Sequence, residues 1–274
     1  MNPVQSSAVQ SKVVSREEWL RARIQLLAKE KELTRLRDEQ ARLRRTLPWV
    51  KIEKEYVFEG ASGKRKLADL FDGSSQLAIY HFMFGPDWKE GCPSCSFVSD
   101  HLSGAVPHLK ARDVTLTMVS RAPWSKLEQF RKRMGWQFPW VSSHGNDFNR
   151  DFHVTFTPEE IEKGKAEYNY TTGPFPSVEA PGLSVFVQGP GGQVFHTYSA
   201  FARGLEPLVS AYMLLDMTPK GRDEDHLRFP MEWLRHHDRY GETTQPFADA
   251  QKPYWPAIAS EATGSCCEHG GERS

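Results

Sequence analysis

Two cysteines three residues apart, Cys92 and Cys95, are the residues of this chain best placed by type and spacing to do chemistry. They occur in the sequence Cys-Pro-Ser-Cys, which follows the apolar residues 77–84 and a short turn at residues 85–87. Two thiols at this spacing, where a strand gives way to a helix, can close and reopen a small disulfide. The same spacing is also half of a zinc site. The surrounding sequence must therefore decide between redox chemistry and metal binding.

Cys92 is predicted to stand at the N-terminus of a helix over residues 92–109, which bends near Pro107. Unpaired backbone N–H groups and the positive end of the helix dipole favour a thiolate there, and such sites bring a thiol pKa from about 8.5 toward ~7 or lower. Pro93 suits the first helical turn because it has no N–H group to satisfy. Cys95, one turn further in, can attack the mixed disulfide that Cys92 forms. We therefore expect Cys92 to be the attacking nucleophile and Cys95 the resolving cysteine.

Zinc is the main chemical alternative for this pair. A structural zinc site needs four ligands, usually with a second cysteine pair at similar spacing. The only other cysteines, Cys266 and Cys267, are adjacent to each other and close to His269, in residues 242–274, which we interpret as a flexible tail. Adjacent cysteines seldom supply a zinc site well, so we expect no metal and no other cofactor. Metal binding and a pair of inert core cysteines remain the alternatives.

Composition and charge exclude some classes of function. The 274 residues include 35 basic and 35 acidic side chains, so the formal net charge is zero, which argues against nucleic acid or a membrane surface as a partner recruited by charge. The longest apolar runs are far shorter than the ~20 residues of a membrane-spanning helix. Residues 1–12 lack the apolar stretch of a secretory signal. We expect a cytoplasmic protein, in whose reducing surroundings a cysteine pair is more often catalytic, redox-sensing or metal-binding than a structural staple.

The N-terminal part of the chain predicts a long helix over residues 15–47, after a disordered segment at residues 1–14. Ser15 with Glu18 has the form of a capping box, and Pro48 stops the helix. Five leucines share one seam with near-heptad spacing, interrupted by Lys29 and Gln40. They are Leu26, Leu33, Leu36, Leu43 and Leu47. This pattern fits a helix packed against its own domain, and it also fits a two-chain coiled coil, so a homodimer through this helix stays open.

Residues 48–217 alternate strands with helices. The predicted strands are residues 50–58, 76–84, 114–119, 183–188 and 193–198, the last two joined by a Gly-Pro-Gly-Gly hairpin signal. The predicted helices are residues 66–71, 92–109, 124–134 and 206–215. The order is strand, helix, strand, helix, hairpin, helix, which is that of an α/β, thioredoxin-like domain with Cys92 where such a domain carries its dithiol.

Two further segments surround this pattern. Residues 135–172 form a long aromatic insertion, which we interpret either as a cover beside the dithiol or as core packing. Residues 218–241 are predicted to be a C-terminal helical extension with a helix at residues 231–239. The expected fold is thus a central mixed sheet flanked by helices, with helical additions at both ends.

Pro181 is expected to contribute to the substrate-binding surface. A thioredoxin-like domain has a proline before the first hairpin strand, which adopts the cis form, lies against the disulfide and leaves a backbone edge for an extended substrate. Cis bonds make up only about 5–6% of X–Pro bonds in folded proteins, so a cis bond here would imply function. The alternative is an ordinary trans proline that enters a strand.

Four more residues are assigned to the site. Trp88, in the loop before Cys92, is predicted to be a platform for the substrate, although a loop tryptophan is also common as packing. Pro93 and Ser94, between the cysteines, complete the expected substrate-binding surface. His81 could relay protons to Cys95, although a lone histidine in a strand is more often a satisfied core residue.

Residues 84–97, Phe-Gly-Pro-Asp-Trp-Lys-Glu-Gly-Cys-Pro-Ser-Cys-Ser-Phe, resemble the signature of a bacterial thioredoxin-like family of uncharacterised function, described as predicted dithiol–disulfide oxidoreductases. Further similar segments lie at residues 134–143, 147–153, 194–198 and 233–238, so the resemblance covers about residues 15–240. It implies a thioredoxin-like fold and carries the redox role onto Cys92 and Cys95, but it brings no substrate. The chain departs from ordinary thioredoxin in having Pro-Ser rather than Gly-Pro between the cysteines, which leaves the redox potential and direction open.

The expected function is therefore a thiol–disulfide oxidoreductase that acts on a disulfide-containing protein or small molecule and uses a thiol electron donor. A peroxide reductase related to the peroxiredoxins is a second hypothesis, but Pro86 lies six residues before Cys92 and no threonine intervenes, so the Pro-x-x-x-Thr-x-x-Cys arrangement is missing. The third hypothesis is a non-catalytic interaction protein that dimerises through its N-terminal helix and whose cysteines sense redox state or hold metal.

Overall fold

The computed structural model describes residues 13–225 and 227–240. Its strands are β1 (Val50–Lys51), β2 (Val57–Gly60), β3 (Gly63–Lys66), β4 (Gln76–His81), β5 (Val114–Ser120), β6 (Trp140–Ser142), β7 (Ala166–Tyr168), β8 (Thr171–Gly173), β9 (Gly182–Gln188) and β10 (Val194–Phe201). Its α-helices are α1 (Arg16–Arg44), α2 (Pro93–Ser103), α3 (Val106–Lys110), α4 (Trp124–Arg133), α5 (Phe148–Asp151), α6 (Pro158–Glu162) and α7 (Ser210–Leu215). Short 3-10 turns lie at Leu67–Phe71, Pro190–Gly192, Ala202–Leu208 and His237–Arg239.

Eight of the strands form one mixed sheet, in the order β1-β10-β9-β4-β5-β6-β2-β3. The central strand β4 is parallel to β5, which follows it through α2 and α3, and antiparallel to β9. β9 and β10 form the predicted hairpin, and β7 and β8 pair separately. This succession of a crossover through the cysteine-bearing helix and then a hairpin is the thioredoxin-like order, so the predicted fold class is confirmed.

Strand β4 separates the two larger of the three apolar cores in the described part of the chain. Successive side chains of a strand point to opposite faces, so Tyr80 and His81 face different cores. The core on the side of Tyr80 contains both cysteines of the Cys-Pro-Ser-Cys motif together with the rings of Phe82, Phe130, Trp136 and Trp140. The other core contains Leu77, Ile79, Phe148 and Phe152. The helix that carries the cysteines therefore packs on only one of the two faces of β4.

Two predicted segments differ from the structure within the domain. The strand expected over residues 50–58 is two strands: β1 pairs with β10 at one edge of the sheet, and β2 pairs with β3 and β6 at the other. A single straight strand cannot reach both edges, so the chain leaves the sheet between them. The expected insertion over residues 135–172 also contains β6, which lies in the main sheet beside β5.

The C-terminal extension is not helical as predicted. Residues 231–236 form turns and irregular backbone, and only His237–Arg239 makes a 3-10 turn. Met231 has a positive φ of 72°, which no α-helix accommodates. Leu234 and His236 are both fully buried. A spacing of two places these side chains on the same side of an extended segment, and burying them fixes this stretch in a non-helical form.

Helix α1 begins where the sequence predicted. It does not bury its apolar side chains against its own domain, which was one of the two expectations. The hydroxyl of Ser15 accepts a hydrogen bond from the backbone N–H of Glu18 at 3.2 Å. The described part of the chain buries none of the 29 residues of α1, and it contacts the helix near its C-terminal end, where the Arg44 guanidinium lies 4.6 Å from the centre of the Tyr198 ring. Of the segment expected to be disordered, residues 1–14, residues 1–12 lie outside the described part of the chain, and so does the expected tail over residues 242–274. Within that part, no helix is both long enough and apolar enough to cross a membrane.

Candidate active site: a buried dithiol

Cys92 is the N-cap residue of α2, as the sequence predicted. Its sulfur accepts a hydrogen bond from the backbone N–H of Cys95 at 3.4 Å, and Pro93 occupies the first turn. The backbone N–H of Cys92 donates to the carbonyl of Met83 at 3.1 Å, which ties the start of the helix to the end of β4. The sulfur thus lies at the positive end of α2, where negative charge on it is favoured.

Cys95 lies one turn further along α2, and its sulfur contacts β4 and the residues that follow this strand. Its sulfur accepts the backbone N–H of Met83 at 3.4 Å and the hydroxyl of Tyr80. Burial raises the pKa of the Cys95 thiol well above its usual value, and the neighbouring Cys92 raises it further. The Met83 N–H and the Tyr80 O–H act in the opposite direction, because both hydrogen bonds favour the thiolate. The two cysteines are not joined by a disulfide bond.

Both sulfurs are covered by protein: Cys92 is 2% exposed and Cys95 is 1% exposed. The loop that precedes Cys92 is closely packed, and the space around Gly91 has no room for a side chain. A Cβ atom at Gly91 would lie 2.6 Å from the Phe82 ring and 2.8 Å from the Phe130 ring. Both rings belong to the core, so no larger residue fits at this position without displacing them.

The C-terminal segment, residues 231–240, packs over this loop. His236 is fully buried, and its Nε2 lies 2.9 Å from the carbonyl oxygen of Gly91, next to Cys92. The Nη2 atom of Arg133, which can only donate, lies 3.3 Å from the His236 Nδ1. The neutral ring that fits both contacts carries its proton on Nε2 and donates it to Gly91. One imidazole therefore joins the C-terminal segment, α4 and the loop of the dithiol.

Charged side chains strengthen the same contact. Glu90 accepts hydrogen bonds from Arg133 at 2.6 Å and from Arg239 at 3.0 Å. Arg133 also donates to Asp238 at 2.8 Å through its Nε atom. The negative charge of Glu90, two residues before Cys92, is therefore compensated by two guanidinium groups.

The predicted proton relay through His81 is wrong. His81 projects into the core opposite the cysteines, where its ring stacks on Phe148 and Phe152 at centroid distances of 5.5 and 5.8 Å. Its Nε2 lies 2.9 Å from the Ser184 hydroxyl. Burial lowers the pKa of His81 to about 3, with a contribution from nearby His196, so the ring is neutral at neutral pH. The residue that reaches Cys95 is its neighbour Tyr80.

The expected cis bond before Pro181 is also wrong, because the described residues contain only trans peptide bonds. The segment is fixed in an extended form by residues of the insertion. The backbone N–H of Ala180 donates to the carbonyl of Val154 at 3.0 Å, and the hydroxyl of Tyr168 donates to the carbonyl of Pro181 at 2.7 Å. The edge predicted for a substrate is thus already partly paired. Tyr168 is also near the dithiol, since Cys95 contributes to raising the Tyr168 pKa.

The other predicted site residues, Pro93, Ser94 and Trp88, lie near the dithiol and differ in their exposure to solvent. Pro93 is buried in the first turn of α2, whereas Ser94 beside it is half-buried. Trp88 is 4% exposed and covers Gly85, whose hypothetical Cβ would lie 2.9 Å from the indole Nε1. Packing is therefore the role of Trp88 that the contacts show, and its role as a substrate platform stays a prediction.

A cavity of about 460 Å³ borders the same loop. It is lined by Gly85, Trp88, Arg121, Arg150, Thr155 and Glu179, among others. Glu179 is 1% exposed and accepts hydrogen bonds from Arg121 at 2.7 Å and from the Thr155 hydroxyl at 2.9 Å. Burial outweighs these two contacts and raises the pKa of Glu179 to about 7. A carboxyl group that titrates near neutrality thus lies beside the loop that leads to Cys92.

No group of three or more His, Cys, Asp and Glu side chains within residues 13–225 and 227–240 is arranged to hold a metal ion. The pair Cys92 and Cys95 therefore acquires no further ligand from that part of the chain.

Sequence reasoning missed Tyr80, Tyr168 and His236. Strand alternation shows that Tyr80 and His81 face opposite sides, so only one of them can reach the cysteines, but it does not show which one. Tyr168 and His236 are far from the cysteines along the chain, and no local pattern indicates that they meet the dithiol.

Fold and site together define a thioredoxin-like protein with two buried cysteines at the start of the helix after the central strand. The chain belongs to the family described as "Bacterial protein of unknown function (DUF899)", which matches residues 8–240. The match includes the C-terminal segment that covers the dithiol loop and ends where the described structure ends. No curated protein matches the chain.

Several solved structures are similar to the domain at low identity. Peroxidoxin BcpB from Mycobacterium tuberculosis is 11% identical over 60% of this chain and 94% of its own, with a TM-score of 0.40. A mutant of peroxiredoxin Q from Xanthomonas campestris is 17% identical over 58% of this chain and 90% of its own, with a TM-score of 0.36. The protein assigned as thiol:disulfide interchange protein DsbE from Chlorobium tepidum is 14% identical over 61% of this chain and 98% of its own, with a TM-score of 0.35.

Proposed function

We propose that the protein is a thiol–disulfide oxidoreductase in which Cys92 attacks a disulfide and Cys95 resolves the intermediate. The observation that carries this proposal is the arrangement of the two sulfurs. The sulfur of Cys92 caps α2, and that of Cys95 lies one turn away against Tyr80 and Met83. A pair in this geometry can close into a disulfide without moving the helix backbone far.

In the forward direction Cys92 loses its proton to solvent, and its thiolate attacks one sulfur of a substrate disulfide. A bond forms between Cys92 and that sulfur, the substrate S–S bond breaks, and the first substrate thiolate leaves. Cys95 then loses its proton and attacks the Cys92 sulfur, which forms the Cys92–Cys95 disulfide and releases the second thiolate. The substrate gains two electrons and the dithiol loses two. An external thiol restores the dithiol, and the same steps in reverse would oxidise a substrate.

The residues around the two sulfurs serve different steps of this sequence. The N–H group of Cys95 and the end of α2 favour charge on Cys92 when it attacks or leaves. The Tyr80 hydroxyl and the Met83 N–H favour charge on Cys95, whose apolar surroundings otherwise hold it as a neutral thiol. Because Cys92 is 2% exposed, its reaction with a large disulfide requires the loop or the C-terminal segment to shift.

The experiment that tests the proposal is turnover of a disulfide substrate by the full-length protein with a dithiol as electron donor. We expect Cys92→Ser to abolish turnover and Cys95→Ser to accumulate a covalent mixed disulfide on Cys92, detected by mass spectrometry. The matched control is Cys266→Ser, which also removes one thiol but far along the chain from the motif, and it should leave turnover unchanged. Undiminished turnover in Cys92→Ser would refute the assignment.

Two parallel measurements separate the alternatives. Faster oxidation of Cys92 by hydrogen peroxide than by disulfides, with a sulfenic acid on Cys92, would instead make the protein a peroxide reductase. Stoichiometric zinc in freshly purified protein, with thiols that never pair, would place it among the metal-binding interaction proteins. Either result contradicts the proposed exchange reaction.

A further inference from the structure

Helix α1 exposes a row of large apolar side chains along its whole length. It has 29 residues, and at 1.5 Å per residue it is about 43 Å long. Leu26, Leu33, Leu36 and Leu43 are between 47% and 61% exposed. A single helix with so many exposed apolar side chains is only marginally stable in water, and contacts with an apolar partner would stabilise it.

The exposed row follows a heptad repeat when Trp19 is taken as the first a position. The a positions are Trp19, Leu26, Leu33 and Gln40, and the d positions are Ala22, Lys29, Leu36 and Leu43. Six of these eight core positions are apolar over four heptads, which is the length at which such a repeat indicates a coiled coil. Polar residues at Lys29 and Gln40 lower the stability of such a core and disfavour shifted registers, in which they would face leucine.

The positions that flank this row have opposite charges. The g positions are Glu18, Gln25, Glu32 and Glu39, and the e positions are Arg23, Glu30, Arg37 and Arg44. In a parallel pair each g residue faces the e residue of the next heptad of the other helix. Glu18 then faces Arg23, Glu32 faces Arg37 and Glu39 faces Arg44, so three of the four contacts join opposite charges. An antiparallel pair would instead set acidic g positions against each other and basic e positions against each other.

We propose that α1 pairs with α1 of a second copy of this chain in a parallel two-stranded coiled coil. The charge pattern identifies the occupant and its direction, because the acidic edge of one helix complements the basic edge of an identical parallel helix. A second apolar row, Leu20, Ile24 and Leu27, spans only two turns, whereas the heptad row continues to Leu43. Parallel pairing places the two thioredoxin-like domains at the same end of the coiled coil.

Sedimentation of the full-length protein tests the pairing. We expect twice the chain mass of 31.3 kDa for the wild type and the mass of one chain for Leu33→Glu/Leu36→Glu. The matched control, Asp38→Lys, changes charge on the outer f position and should stay dimeric. Since α1 buries none of its residues in the domain, the Cys92 and Cys95 thiols of these variants should be as protected from alkylation as those of the wild type, which shows that the domain stays folded. A wild type with the mass of one chain would overturn the proposal, as would a dimer that survives the leucine substitutions.

The charge pattern has its own test. In Glu18→Arg/Glu32→Arg and in Arg23→Glu/Arg37→Glu, four contacts per helix pair become like-charged, two on each side, so each variant alone should dimerise at least about tenfold more weakly. Mixing the two variants restores opposite charges at all changed positions and should restore the dimer. Failure of the mixture to associate would show that the flanking charges do not direct the pairing.

A disulfide trap reports the direction. In a variant whose four native cysteines are serine, Gln40→Cys places two thiols in the same core layer of a parallel pair, and oxidation should link the chains covalently. In an antiparallel pair the same thiols lie at opposite ends of the overlap and cannot meet. Asp38→Cys, on the outer face, is the control that should remain unlinked. Absence of the Gln40→Cys link in a protein that sediments as a dimer would overturn the parallel arrangement.

Discussion

Replacing Tyr80 by phenylalanine removes one hydroxyl from the buried dithiol and leaves the aromatic ring that fills the core. The hydroxyl donates to the Cys95 sulfur, and Tyr80 is 1% exposed, so water does not replace the lost hydrogen bond easily. A hydrogen bond to a charged acceptor contributes about 1.5–3 kcal/mol and one to a neutral acceptor about 0.5–1.5 kcal/mol. The difference of roughly 1–2 kcal/mol corresponds to about one pKa unit.

The sign follows from which form the hydroxyl stabilises. It favours the thiolate, so its loss raises the pKa of Cys95, which burial has already raised. At a pH below that pKa, the thiolate fraction falls about tenfold for each unit, while the nucleophilicity of the remaining thiolate grows about threefold. The resolving step of Tyr80→Phe should therefore be about three- to fourfold slower at neutral pH, and its pH profile should move about one unit to higher pH.

Stopped-flow reaction with a chromogenic aryl disulfide measures this step directly. Attack by Cys92 releases the first aryl thiolate, and resolution by Cys95 releases the second, so the two phases separate the two cysteines. The matched control is Tyr56→Phe, which removes a buried-ring hydroxyl on the opposite face of the sheet, where it contacts Asp151. If the second phase has the same pH profile in Tyr80→Phe as in the wild type, the hydroxyl does not act on Cys95 and the reasoning fails.

Two other predictions follow from buried groups near the dithiol. His236→Ala removes a hydrogen bond to the Gly91 carbonyl, worth about 0.5–1.5 kcal/mol, so alkylation of Cys92 should accelerate up to about tenfold. The control variant His144→Ala changes an exposed histidine and should leave the alkylation rate of Cys92 unchanged. An equal rate in both variants would show that the C-terminal segment does not shield Cys92. Because burial raises the Glu179 pKa from 4.5 to about 7, the folded state binds this proton more tightly than the unfolded state, and the free energy of unfolding should fall by about 3 kcal/mol as pH rises through that window. The free energy of unfolding, measured with urea at the two ends of this pH window, should fall less in Glu179→Gln than in the wild type. An equal fall in both proteins would show that a group other than Glu179 titrates.

Much of the fold could be read from local patterns because the elements around the dithiol have strong signals. The predicted strand at residues 76–84, the bend near Pro107 and the hairpin at residues 183–198 all lie close to β4, α2–α3 and β9–β10. The wrong secondary-structure predictions have one physical cause. The local sequence allows more than one conformation there, and tertiary contacts stabilise the one that forms. Nothing near residues 50–58 indicates that the chain crosses from one edge of the sheet to the other. The apolar spacing in residues 231–239 fits a helix equally well until Leu234 and His236 are buried together.

The site was predictable where a single element determined it and unpredictable where distant segments meet. Capping of α2 by Cys92 depends on four consecutive residues, and that prediction is confirmed. The choice between Tyr80 and His81 depends on which side of β4 the helix packs, which the local sequence does not specify. Pairing of Tyr168 with Pro181 depends on how the insertion folds back, and it occupies the carbonyl that sequence reasoning had left for a substrate.

The two sulfurs are covered in different ways, and the difference matches the roles proposed for them. Cys95 is held by Tyr80 and Met83 of the central strand and its extension, so uncovering it would disrupt the core. The polar contacts over the Cys92 loop include the imidazole hydrogen bond of His236 and the ion pairs of Glu90, whose side chains are 18–28% exposed and can exchange partners with water at small cost. A substrate that displaces the C-terminal segment would therefore meet Cys92 first and leave Cys95 in place beneath it. This is the order of events that attack by Cys92 and resolution by Cys95 require.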